Sequence, residues 1–75
     1  MNEIERYSNV VVTKDLESRS SPSISIKKGT VGIVLDLVTD PKTGTTEYLV
    51  ELDNRIYGDG EIQFLRRDEI DSIKL

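Results

Sequence analysis

The run Ile26-Lys27-Lys28-Gly29-Thr30-Val31-Gly32-Ile33-Val34-Leu35-Asp36-Leu37-Val38 constrains the fold of this chain more than any other stretch. A charged turn opens there into a long apolar strand with two glycines at its head. Gly29 can take the positive φ that a tight turn requires, whereas Gly32 lies inside the strand, where glycine normally weakens pairing. Its position predicts a sharp bend or a close backbone approach, as small curved sheets require. Two lysines ahead of two glycines would also suit a phosphate-cradling loop, but such loops lead into a helix and this one leads into a strand.

Alternation from Val31 sets Val31, Ile33, Leu35 and Leu37 on one face and Gly32, Val34, Asp36 and Val38 on the other. Thr39-Asp40-Pro41-Lys42-Thr43-Gly44-Thr45 supplies turn chemistry, with Pro41 pre-setting φ and Gly44 free to be left-handed. The strand that returns, Glu47-Tyr48-Leu49-Val50-Glu51-Leu52, points Tyr48, Val50 and Leu52 inward and Glu47, Leu49 and Glu51 outward. This antiparallel hairpin is the centre of the expected fold.

Other segments are arranged around it. Asn9-Val10-Val11-Val12-Thr13 is β-branched and too short for a helix, so it reads as the first strand, while residues 1–8 show no period and are expected to fray or pack loosely. Lys14 to Ser25 form a polar, serine-rich loop of the length that is either functional or mobile, and Ile24 and Ile26 at its end are expected to reach the core. After a second turn region, Asp53 to Gly60, comes a fourth strand, Glu61-Ile62-Gln63-Phe64-Leu65, with Ile62 and Phe64 inward and Leu65 stranded outward. Arg66 to Ile70 has the pattern of a single 3₁₀ turn, and Asp71 to Leu75 could close the sheet. Five strands with a 3₁₀ turn before the last make the plan of a small SH3-like barrel spanning residues 1–75 as one domain; an OB-fold would need a helix between strands three and four, for which there is no segment.

Seventy-five residues remove only about 60% of the unfolded surface from water, so one core is the most such a chain can build. No cysteine is present to staple it, which fits a reducing compartment. The charged start is followed by no apolar stretch of signal-peptide or membrane-span length, so a cytoplasmic protein without a membrane segment is expected.

Charge is placed unevenly. Residues 29–54 carry Lys42 alone against Asp36, Asp40, Glu47, Glu51 and Asp53, so the central hairpin holds the whole net charge of −4. That opposes a phosphate backbone, which calls for clustered Lys and Arg, and suits a basic partner, although a solvated acidic face has the same composition. The pairs Lys27-Lys28 and Arg66-Arg67 keep a weak, salt-dependent nucleic-acid contact of the KOW type as the alternative.

The sequence contains neither His nor Cys, hence neither the usual neutral-pH base nor the best nucleophile, and solvent-facing carboxylates make poor acids at pH 7. Asp53, Asn54 and Asp59 lack the alternating ligands and terminal glutamate of a calcium loop, and read as a turn. No Trp is available for a proline-peptide groove. The expectation is therefore a non-enzymatic protein-interaction module, monomeric or weakly dimeric. Its candidate partner-binding residues are Asp36, Glu47, Leu49, Glu51 and Asp53, with no catalytic residue, cofactor or metal.

Three of these segments together resemble a family. Asn9 to Leu16, Ile26 to Val34 and Glu47 to Leu52, followed by Phe64 and Asp68-Glu69-Ile70, are similar to the small bacterial DUF4926 domains, with their Lys-Gly-x-x-Gly-x-Val core and Tyr-x-Val-Glu strand. The resemblance runs from about residue 8 to the end, and implies an SH3-like barrel with an interaction role and no catalytic residue to carry over. Gly-x-x-Gly-x-Val also occurs in KOW-type barrels. This chain departs from the pattern in the serine-rich loop 17–25 and in the extended hairpin 39–45.

Overall fold

The computed structural model describes residues 4–18, 24–53, 55 and 61–73. Its strands are β1 (Asn9–Val12), β2 (Leu16–Glu17), β3 (Ser25–Ile26), β4 (Val31–Thr39), β5 (Thr46–Leu52), β6 (Ile62–Arg66) and β7 (Ile70–Ser72), with a 3₁₀ turn, Arg67–Glu69, ahead of the last. Five of them form one antiparallel sheet in the order β6-β5-β4-β1-β7, and β2 pairs with β3 separately. No pairing joins β6 to β7 among the described residues, so both are sheet edges there.

One face of the sheet carries the core. Val10 and Val12 of β1, Val34 of β4, Tyr48, Val50 and Leu52 of β5, Leu65 of β6 and Ile70 of β7 are all buried, joined by Ile4 and by Ile26 of β3. Leu16 and Ile24 pack against this cluster, so the serine-rich segment expected as a loop contributes a short hairpin whose isoleucines cover the inner face. Tyr48 fills the centre, as the alternation of β5 requires. Residues 19–23 of that segment lie outside the described residues.

Turn chemistry behaves as the sequence predicts. Gly29 and Gly44 have φ of 92° and 73°, and the Gly44 N–H donates to the Asp40 carbonyl to close the β4–β5 turn. Gly32 is a close-approach glycine, because its backbone lies against β5. The last strand begins one residue earlier than expected, at Ile70, and the expected residues Lys74 and Leu75 lie outside the described set.

Two side-chain assignments change. β4 does not alternate from end to end: its register with β5 skips Leu35, pairing Val34 with Val50 and then Asp36 with Leu49. One extra residue inverts the faces beyond it, so Ile33 and Asp36 share the outer face while Val34 and Leu37 share the inner one. The backbone of Tyr7 and Ser8 brackets this bulge, Tyr7 N–H donating to the Val34 carbonyl at 2.6 Å and Val34 N–H to the Ser8 carbonyl at 3.0 Å.

In β6 the expected inward pair, Ile62 and Phe64, faces outward at 42% and 45% exposure, and Leu65, expected to be stranded outside, is buried at 2%. The strand Ile-Gln-Phe-Leu is apolar on both faces, so its own pattern cannot choose between them. Pairing with β5 decides: Val50 lies opposite Gln63 and Tyr48 opposite Leu65, and partners across a ladder share a face. The amide of the buried Gln63 is satisfied by donating to Glu61.

Candidate functional site

Register across β4, β5 and β6 builds the outer face row by row. Ile33, Glu51 and Ile62 form one row, Asp36, Leu49 and Phe64 the next, and Val38, Glu47 and Arg66 the third. Apolar side chains thus run through the middle of a solvent-facing sheet, with Phe64 and Ile62 near half exposed and Val38 at 54%. Four of the five residues expected at a partner site, Asp36, Glu47, Leu49 and Glu51, are brought together here. Asp53 follows β5 at its end, in an open hollow of about 490 Å³ that Glu51, Val31, Ile33, Arg55 and Ile73 also line.

The five hairpin acids are not equivalent. Asp36 sits on the bulge, accepts the Leu37 N–H at 2.8 Å, and is clasped by Arg6 through Nε at 3.0 Å and Nη2 at 2.9 Å. The Leu37 N–H first, and the guanidinium after it, hold its carboxyl below the usual aspartate value. Asp53 is gripped by Arg55 in a two-point pair, Nε to Oδ1 at 3.2 Å and Nη2 to Oδ2 at 2.9 Å, and accepts the Arg55 N–H as well. Those bonds lower its pKa in turn. Asp40 accepts the Lys42 N–H inside the hairpin turn.

Glu47 and Glu51 are different. Among the described residues no hydrogen bond or ion pair engages either side-chain carboxylate. Every other described carboxylate between Asn9 and Ile73 accepts a hydrogen bond. Glu47 and Glu51 lie on one face of one strand, with Leu49 between them; among the described residues Glu5, ahead of the sheet, is the other carboxylate without a hydrogen bond.

The basic pairs are partly committed elsewhere. Arg67 donates to the Ile70 carbonyl and lies 3.9 Å from Asp71, while Arg66 stands opposite Glu47 on the outer face. Lys28 donates its backbone N–H to Asp15. Among the described residues no three metal-ligating side chains converge, and no helix is long and apolar enough to cross a membrane. Asn54, Tyr57, Gly58, Asp59 and Gly60, which the sequence placed in a turn region, lie outside the described residues.

Sequence reasoning found the acids and Leu49 but missed Phe64, Ile62 and Ile33, the apolar half of the face. The signal available was the clean alternation of β5, which fixes the inward set on any strand paired with it. What the sequence of β6 lacks is its own register with β5, because Ile62-Gln63-Phe64-Leu65 carries apolar residues on both faces.

No family model matches the chain, and neither a curated protein nor a solved structure matches it.

Proposed function

We propose that this chain is a non-enzymatic protein-interaction module that binds a basic partner protein on the outer face of β4, β5 and β6. The observation that carries the reading is the pair of open carboxylates, Glu47 and Glu51, flanking the apolar row of half-buried Leu49 and exposed Phe64. An apolar centre with a charged rim is the composition of a transient interface, and acidic rims raise the on-rate of basic partners. Asp36 and Asp53 belong to the surround: each already has an arginine of its own chain, so they contribute shape and less net attraction. The fold in this reading is an SH3-like barrel of the DUF4926 type, supported by a five-stranded antiparallel sheet with a 3₁₀ turn before its last strand. A cytoplasmic setting goes with it.

The test is affinity capture from the source cell with wild-type chain and with a Glu47→Lys/Glu51→Lys variant, the fold of each checked by far-UV circular dichroism. Basic proteins retained by the wild type should be lost from the folded variant. Equal retention by both would overturn the reading.

A further inference from the structure

We infer that the outer face takes an extended segment of the partner with cationic side chains at positions i and i+4 and an apolar side chain at i+2. This deepens the function proposed above and rests on it. Glu47, Leu49 and Glu51 occupy alternate positions of β5, so the backbone positions that bear the two carboxylates are four strand steps apart, about 13 Å. A second extended chain has the same step, and its residues i, i+2 and i+4 share a face. An arginine, an apolar residue and an arginine in that pattern would meet Glu47, Leu49 and Glu51 one for one. A helix reaches the same separation only with cations about eight residues apart.

Each end of the row also has room for a long side chain. Beside Glu51 lies the hollow lined by Val31, Ile33 and Ile73, with Arg55, already paired with Asp53, also lining it. Beside Glu47 a second open hollow is lined by Val38, Thr39, Pro41 and Thr45. Arg and Lys lay their alkyl stems on apolar surface and keep the charged head at a polar rim, which both hollows provide. Leu49 and Phe64, facing each other across β5 and β6, offer the central apolar contact. Charge complementarity commits the occupant to a basic segment of another protein: a nucleic acid would bring phosphates against two open carboxylates, and a second copy would bring the same acidic row.

Arg66 gives the model of recognition a second handle. It stands opposite Glu47 without forming an ion pair with it, so its cation competes with the incoming one at that end only. Removing Arg66 should therefore strengthen binding through Glu47 and leave the Glu51 end unchanged.

The experiment titrates the isotopically labelled chain, followed by amide chemical shifts at low ionic strength, with the capped peptide Arg-Thr-Leu-Thr-Arg and with the same residues in the order Thr-Arg-Arg-Leu-Thr. The first peptide should shift the amides of Glu47, Leu49, Glu51 and Phe64 and bind at least about threefold more tightly than the second. Glu47→Gln and Glu51→Gln should each weaken it by about two- to fivefold, the scale of one exposed ion pair. Arg66→Ala should strengthen it by a similar factor, and salt should weaken it throughout. Equal affinity of the two peptides, both sensitive to the glutamate variants, would overturn the spacing and leave the basic-partner reading standing. If neither peptide shifts the outer-face amides, the extended-segment inference fails, and capture with the lysine variant judges the broader reading alone. Shifts of the same amides with protein concentration, before any peptide is added, would mark a contact between copies and overturn the inference.

Discussion

Gly32 lies so close to Glu51 on the neighbouring strand that a Cβ at position 32 would stand 2.7 Å from the Glu51 carbonyl oxygen and 2.7 Å from Cγ1 of Val50. The first contact is with backbone, which cannot swing away, and the second is with a fully buried side chain. Gly32→Ala is therefore expected to cost about 1–3 kcal/mol, the range for overpacking a tight site. A denaturant midpoint that does not move would contradict this close approach. Because Glu51 is one end of the proposed binding row, the variant should also disturb that end of the face more than the Glu47 end.

Leu65 and Phe64 exchange the roles their sequence suggests. Truncating the buried residue, Leu65→Ala, should destabilise the fold by about 2–4 kcal/mol. Phe64→Ala, at a position 45% exposed, should cost at least about 1 kcal/mol less than that. Equilibrium unfolding of the two variants in parallel checks the orientation of β6, since the opposite ranking would place Phe64 in the core.

Acid should weaken the fold through Asp36 and Asp53. Both have folded-state pKa values lowered from the ordinary 3.8, the first chiefly by the Leu37 N–H and the second chiefly by Arg55. A lowered value means that the unfolded chain takes up the proton first, so the stabilisation is fully present above the unfolded pKa and is lost as pH falls through the folded one. Asp36→Asn and Asp53→Asn should accordingly be less stable than the wild type at neutral pH and converge with it as pH falls through the lowered folded-state values. Melting temperatures across pH 2–7, about the span in which aspartates titrate, would show this; a difference that persists undiminished at the acid end would contradict it.

Tyr7 adopts a φ of 65° and is 70% exposed as a residue, and its N–H is held by the Val34 carbonyl at the bulge. Left-handed backbone costs a residue with a Cβ about 1–2 kcal/mol, and Asn tolerates it better than a β-branched residue does. Tyr7→Asn should thus keep or raise the melting temperature, whereas Tyr7→Val should lower it. If both variants behave alike, the bulge does not impose this conformation.

Much of the fold follows from local pattern alone. The turn at Gly29, the hairpin turn closed by Gly44, the inward set Tyr48, Val50 and Leu52, and the 3₁₀ turn before the last strand all rest on short-range chemistry: positive φ at glycine, and a strict alternation on a strand with one apolar face. The acids of the candidate face were legible for the same reason, since Glu47 and Glu51 occupy the polar positions of that alternation. Tertiary structure decided three further things. Skipping Leu35 moves Asp36 beside Leu49, because a bulge inverts the faces and is set by the neighbouring strand and the backbone of Tyr7 and Ser8. Pairing with β5 turns Phe64 out and Leu65 in, because a strand apolar on both sides takes its orientation from its partner. Finally, only the folded chain separates Asp36 and Asp53, each held by an arginine, from Glu47 and Glu51, because composition counts charges and three-dimensional contact decides which of them are already matched.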